Sequence, residues 1–322
     1  MSNLFIIGNG FDLAHGLPTS YEDFYQYLIS KYPKALDTQL SYKIERTKMP
    51  DGTVDYNKNE VVAFLIDRIS AAERDGENWC DIETSLGHLD FNNYIRELYS
   101  LVDKPKETDD EDNLTIQRRY WKLTHACEIF YDITIKIQEL FSEWINTIDI
   151  SAISPMDSFI KLLDPSEDSF LTFNYTTVLE DIYGATEVKH LHGVQNGEII
   201  FGHGEKKAEK HVNDPYQIIR PLLILHDDLK KDTQGIVSND LSPFLNNLVE
   251  SSFKNDAFIK RIYTYGFSFS RVDLPYVQEI CLNIDTSNIT WYLHTFHKDE
   301  ERKGFEENIK ECGFKGRFDT FG

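Results

Sequence analysis

Four stretches of the chain carry residue types that can bind and cleave a nucleotide. The first, FIIGNGFDLAHGLP from Phe5 to Pro18, runs an apolar segment into Gly8-Asn9-Gly10 and then into Gly16-Leu17-Pro18. Glycines at such a turn let backbone N–H groups approach an anion, and a helix starting there adds positive potential; dinucleotide phosphates are held in this way. Leu13 replaces the third glycine of a full GxGxxG, so a purely structural glycine turn fits the stretch equally well. Asp12 fits either a helix cap or a contact to a ligand hydroxyl.

The second stretch, FLTFNYTTVLEDIYG from Phe170 to Gly184, places Asn174 just past an apolar strand. An asparagine at the carboxyl end of a parallel strand can hold a sugar hydroxyl or orient a water through its two polar atoms, or it can close an Asx turn. The third, KHLHGV from Lys189 to Val194, puts His190 and His192 on one side of a strand and Leu191 on the other. Histidine titrates near neutrality and can take a proton from water or a ribose hydroxyl. A structural role remains open, as does a metal held by His190, His192 and His203, although no HExxH or carboxylate cluster accompanies them.

In the fourth, YTYGFSFSRVDLPY from Tyr263 to Tyr276, a strand ends in Gly266 and is followed by Ser268, Ser270 and Asp273. These can close a nucleotide site or cap the next helix. Asp81 and Glu83, in WCDIET, could face the same cleft and contact ribose, or could be first-turn acids favoured by a helix dipole.

The elements that must position these residues alternate. Strands are expected at Leu4–Gly8, Phe170–Phe173, Val188–Leu191, Ile199–Phe201, Arg261–Phe267 and Ile289–Phe296. Helices are expected at Ser20–Ser30, with Thr19 and Glu22 in capping-box spacing, and at Thr177–Tyr183, Pro243–Phe253, Pro275–Asn283 and Asp299–Cys312. Glu60–Glu73, Ile82–Val102 and Leu114–Ile148 carry apolar residues at three- and four-residue spacing and read as helices. Asp51-Gly52 and the acidic run Glu107–Asp112 read as loops. Strands alternating with helices imply an α/β fold, a Rossmann-like, mostly parallel sheet with helices on both faces. The expected organisation is one domain over 1–322, interrupted by a helical insertion at about 31–150. The polar stretch Gly202–Ser242, with His203, Lys206, Lys207, Lys210 and His211, is a candidate lid or a surface excursion.

Composition narrows the function. The 322 residues hold 33 basic and 54 acidic side chains, a formal net charge of −21. That field repels phosphate backbones and acidic lipids, so neither a nucleic-acid nor a membrane partner is expected. Four scattered cysteines, Cys80, Cys127, Cys281 and Cys312, suit a reduced cytoplasmic protein. The opening residues show no secretory signal pattern, and no apolar run approaches the ~20 residues of a membrane helix.

The order strand–GNG–GLP, strand–Asn, strand–HG, strand–GxS–Asp resembles sirtuin-like domains, which bind NAD. By that resemblance Asn174 and His192 match the catalytic pair; Gly8, Gly10, Gly16 and Pro18 match the phosphate loop; Gly266, Ser268 and Asp273 match a later nucleotide segment. More narrowly, GNGFDLAHGLPTSYEDF, WCDIE, TFNYTTVLE, HLHG with IIFGHG, and YGFSFSRVDLPY resemble the AbiH family of bacterial abortive-infection proteins. Thr176 stands where many sirtuin-like sites have the acid of Asn-x-Asp, which leaves ribose recognition to Glu83 or Asp12. No four-cysteine zinc module is present, so deacetylation is not expected and no metal is expected. The resemblance implies an anti-phage protein that hydrolyses the nicotinamide–ribose bond of NAD or a related nucleotide. A sensing module for an ADP-ribose-like ligand and a metal-dependent phosphohydrolase or nuclease are the alternatives. A phage-derived trigger and self-association are further expectations.

Overall fold

Leu4, Phe5, Ile6 and Ile7 form an unbroken apolar run and are all buried, as a strand covered on both faces requires. The computed structural model describes residues 3–38, 44–72, 82–90, 96, 113–204, 219–255, 258–270 and 272–322. The described strands are β1 (Asn3–Ile7), β2 (Arg46–Lys48), β3 (Val54–Tyr56), β4 (Ser169–Thr172), β5 (Glu187–His190), β6 (Arg261–Tyr265), β7 (Thr290–His294) and β8 (Arg317–Phe321). The helices are α1 (Gly10–Ala14), α2 (Tyr21–Lys31), α3 (Lys58–Ala72), α4 (Ile82–Gly87), α5 (Asn113–Thr134), α6 (Lys136–Ile145), α7 (Asp157–Ile160), α8 (Val178–Asp181), α9 (Arg220–Asp228), α10 (Thr233–Ile236), α11 (Ser242–Asn255), α12 (Leu274–Asn283) and α13 (Asp299–Glu311). Two compact units emerge: Met1–Ser20 with Ile145–Ile200 and Asp232–Gly322, and Tyr21–Trp144 with Phe201–Lys231.

The first unit is an α/β layer structure. Its six strands lie in the order β5-β4-β1-β6-β7-β8, and every neighbouring pair is parallel. The chain therefore builds outward from β1 in one direction, then returns to build from β1 in the other. This is the order of a doubly wound sheet, whose ligand crevice opens where the winding reverses, here between β1 and β6 at their carboxyl ends.

Alternation along β1 sends its side chains to two different cores. Leu4 and Ile6 join Leu171, Ile262, Trp291 and Leu293 under Leu245 of α11, Tyr276, Val277 and Ile280 of α12, and Ile309 of α13. On the opposite face the parallel register aligns Phe170, Phe5, Tyr263 and Tyr292 across β4, β1, β6 and β7. Their rings stack in a ladder with centroids 5.1, 4.9 and 4.7 Å apart. Phe159 of α7 meets Phe5 edge-on at 5.5 Å. Each such aromatic pair adds about 0.5–1.5 kcal/mol beyond its area burial.

The second unit is mostly helical, with a small β2–β3 hairpin turning at Asp51-Gly52. Asp51 Oδ1 accepts from Thr53 N and Oγ1 at 2.9 and 2.6 Å, and Gly52 takes φ +90°, so the expected loop is the tip of a hairpin. Edge-on, tilted and stacked contacts join the rings of Phe24, Phe141, Trp144 and Phe201 in this unit.

Several elements differ from expectation. The helix expected over Leu114–Ile148 is two helices, α5 and α6, separated at Ile135. Ile199–Phe201 is not a strand; Ile199 makes a single antiparallel bridge to Gly193. Thr19 does not cap α2, since its hydroxyl is buried without a partner. Of Ile82–Val102, α4 and Arg96 are described; the rest, and Glu107–Asp112, lie outside the described residues. Among the described residues no helix is long and apolar enough to cross a membrane. Cys127, Cys281 and Cys312 are free thiols.

Candidate functional site

The carboxyl ends of β1, β4 and β5 meet in register. Phe173 N donates to Ile7 O at 2.9 Å, and Leu191 N donates to Thr172 O at 2.9 Å. Thr172 pairs with His190, so Asn174 and His192, each two residues further on, leave adjacent strands at matching positions. The turn after β1 delivers Asp12 to the same place. Asn174 Nδ2 donates to Asp12 Oδ1 at 2.8 Å, and Thr176 Oγ1 donates to Asp12 Oδ2 at 2.8 Å. Asp12 is 1% exposed and Asn174 5%. Burial drives the Asp12 pKa up to about 6, against the opposing pull of the Thr176 and Asn174 hydrogen bonds and the nearby His190.

Asn174 is held at its main chain as well. Its carbonyl lies 3.0 Å from His190 Nδ1, while His190 Nε2 lies 2.8 Å from Glu180 Oε1. A donor on the ring nitrogen facing a carbonyl satisfies the first contact. Asn174 Oδ1, by contrast, is buried without a hydrogen-bond partner. An orphaned buried acceptor costs about 1–3 kcal/mol, so the fold does not explain it. His192, 6% exposed, stands among Phe173 at 5.2 Å, Tyr276 at 6.0 Å and Tyr175 at 6.4 Å between ring centroids. Its Nε2 is 3.5 Å from Tyr276 Oη. Gly193 takes φ +85° because the backbone of Glu198 folds against it, which turns the chain back immediately after His192.

The first turn packs onto the end of β6. Gly8 N donates to Tyr265 O at 2.9 Å and Gly10 N donates to Gly266 O at 3.1 Å. A Cβ on Gly8 would lie 2.5 Å from Gly266 O, and one on Gly10 2.6 Å from Gly266 Cα. Two glycine turns thus touch backbone to backbone at the winding reversal, and the N–H groups of Gly8 and Gly10 point at the neighbouring strand's end. Asn9 is exposed, and its Nδ2 donates to Thr19 O at 2.8 Å. Gly16 (φ +76°) and Pro18 form an exposed turn. Beyond Gly266, Ser268 is exposed, Ser270 Oγ donates to Asp273 Oδ2 at 2.7 Å, and Phe269 adopts φ +52°. A buried aromatic in the left-handed region is an outlier, and such strain clusters at functional loops.

Glu83 belongs to the second unit. There it receives Lys231 Nζ at 3.3 and 3.2 Å, and the Lys231 side chain is fully buried. His203 is in the same unit. Its Nε2 lies 3.0 Å from His226 O, and burial, then the neighbouring His226, lowers its pKa to about 4, a neutral ring at pH 7. Among the described residues no three His, Cys, Asp or Glu side chains group as a metal ion would need. Asp81, Lys206, Lys207, Lys210 and His211 lie outside the described residues.

Two partners escaped sequence reasoning. Thr176 lies in the bend after β4 and Glu180 in α8. Nothing local announces that the first meets Asp12 and the second His190.

The model of the bacteriophage abortive infection AbiH family matches residues 4–295. The match spans the first turn, the β4 and β5 ends and the β6 turn, in both units. No curated protein matches the chain, and no solved structure does.

Proposed function

The chain belongs to the AbiH family of bacteriophage abortive infection proteins, and we propose that it defends by hydrolysing the nicotinamide–ribose bond of NAD or a related nucleotide. The observation that carries this reading is the contact of Asp12 with Asn174 at the carboxyl rim of a doubly wound parallel sheet, beside its winding reversal, with His192 leaving the adjacent strand two residues past the Thr172–His190 pair. Dinucleotides bind at that place in such sheets. The strained Phe269 on the β6 turn supports a ligand-facing loop there.

The chemistry asks little of acids. Water adds to the ribose C1′, the C–N bond breaks, nicotinamide leaves neutral from its cationic ring, and the proton of the water is released. The products are ADP-ribose, nicotinamide and a proton. The transition state is oxocarbenium-like, as in glycoside hydrolysis. Asn174 positions the water or a ribose hydroxyl, and His192 accepts the proton directly or through that hydroxyl. The exposed Asn9 and Ser268 flank the pyrophosphate. Unregulated loss of NAD would kill a resting cell, so the activity is off until a phage-derived trigger releases it, and self-association fits such control.

Incubation of purified protein with a nucleotide panel, followed by separation of products, tests the reading. Release of nicotinamide, lost in Asn174→Ala and His192→Ala by about 10²–10⁴-fold, is expected. A protein that leaves every nucleotide intact, with and without phage infection, refutes it.

The enclosure of His192 among three aromatic rings favours one second reading, a sensing module that binds an ADP-ribose-like ligand without turnover. Calorimetry with ADP-ribose, showing tight binding and no hydrolysis, would select it. Activity abolished by a chelator would instead select a metal-dependent phosphohydrolase.

A further inference from the structure

We infer that Asp12 is a positioning residue that fixes the amide of Asn174, so that Asn174 presents its Oδ1 as a ready acceptor for a donor hydroxyl or water of the bound nucleotide. The inference rests on the nucleotide-site reading above and assigns the ligand atom that meets Asn174.

An asparagine amide can face either way round, and its neighbours decide which. Here the decision is one-sided. Asp12 in its carboxylate form only accepts, so the Asn174 amino group must point at it. The carbonyl oxygen then faces the other way, and it is this atom that lacks a partner while buried. Thr176 secures the second oxygen of Asp12, which stops the carboxylate from turning. His190, itself braced by Glu180, secures the Asn174 main-chain carbonyl. Backbone and side chain of Asn174 are therefore both pinned, and the atom left over is an acceptor.

The carboxylate comes from the turn after β1 and is anchored by the Thr176 hydroxyl. Its role differs in kind from ligand binding, because both Asp12 oxygens are occupied within the protein and the residue is almost wholly enclosed. The complementary ligand group is a hydrogen-bond donor with no charge requirement, which describes a ribose hydroxyl or the attacking water and excludes a phosphate oxygen.

The test uses two independent readouts on the full chain. Hydrogen exchange of the Asn174 side-chain amide, assigned by its disappearance in Asn174→Asp, reports orientation without any turnover. Steady-state hydrolysis of NAD reports function. In wild type at neutral pH the amide protons should be protected. In Thr176→Val protection should be lost and kcat should fall by up to about 10²-fold, the penalty of a misplaced reacting group, with KM changing far less. Thr176→Ser, which keeps the hydroxyl, should restore both. Asp12→Asn should behave like Thr176→Val. Valine and serine variants alike in exchange and in kcat would overturn the inference, as would a wild-type amide that exchanges freely. If no nucleotide is hydrolysed, the hydrolysis reading falls, and the exchange result alone still decides whether Asp12 orients Asn174.

Discussion

Asp12 and Asn174 stand 162 positions apart in the chain and meet at 2.8 Å, amide to carboxylate, at the end of two neighbouring parallel strands. The contact joins the turn after β1 to the residue proposed to position the water or ribose hydroxyl. It also buries a carboxylate whose two oxygens are held by two neutral donors, Asn174 Nδ2 and Thr176 Oγ1.

That burial has a pH signature. The Asp12 pKa rises from 3.8 to about 6 on folding, so between those values the native state binds more protons than the unfolded chain. Stability then falls as pH rises from about 4 to about 6 and stays lower above, by a ceiling of roughly 3 kcal/mol for two pKa units. Urea melts across pH 4–7.5 should show this loss in wild type and a flatter profile in Asp12→Asn. Identical profiles for the two proteins would show that Asp12 does not titrate in that window.

The sheet was legible because its central strands announce themselves. Leu4–Ile7 is a continuous apolar run that stops at a glycine, and Phe170–Phe173 is apolar but for Thr172 and stops at an asparagine; both are strands within a residue of the expected bounds. β8 was not expected, because as an edge strand it leaves Arg317, Asp319 and Thr320 exposed and lacks the apolar run of a covered strand. The glycines at 8, 10 and 266 were recognised as a close approach, but of ligand to backbone. The structure shows backbone meeting backbone, a relation between positions more than 250 residues apart by numbering. Asp12 was ambiguous for the same reason: a cap is a local property, whereas its partners Asn174 and Thr176 come from another strand.

Those glycines separate two kinds of substitution. Gly266 has φ +67°, and a Cβ there would strike the backbone of Gly10 and Phe11. Gly266→Ala combines backbone strain with overpacking and should destabilise by roughly 3–5 kcal/mol. Gly16 has φ +76° with open space around it, so Gly16→Ala should cost only about 1–2 kcal/mol. Midpoints of urea unfolding with unchanged slopes would measure both. Equal losses at the two positions would contradict the backbone-to-backbone contact.

The buried pair of the second unit gives an independent check. Lys231 is fully buried at its side chain, and its Nζ donates to both carboxylate oxygens of Glu83. Glu83→Gln leaves a buried ammonium facing a neutral amide and should destabilise by roughly 3–5 kcal/mol. Glu83→Leu with Lys231→Met removes both charges and should lie within about 2 kcal/mol of wild type. A double variant less stable than Glu83→Gln would mean that the pair contributes net stability. If Glu83 instead contacts ribose, Glu83→Gln should weaken nucleotide binding in calorimetry, an outcome the ion pair alone does not produce.

His192 carries the sharpest separation of fold from function. Phe173, Tyr175 and Tyr276 surround its ring, so His192→Ala opens a cavity and should destabilise by about 1–3 kcal/mol besides removing a proton acceptor. His192→Gln fills more of the space and keeps a polar atom near Tyr276, but it cannot take a proton at neutral pH. It should melt within a few degrees of wild type while losing about 10²–10⁴-fold in nucleotide hydrolysis. The same variant should still bind ADP-ribose. If His192→Gln hydrolyses nucleotide at the wild-type rate, the histidine is a packing element of the rim, and the proton must be accepted by solvent or by another group.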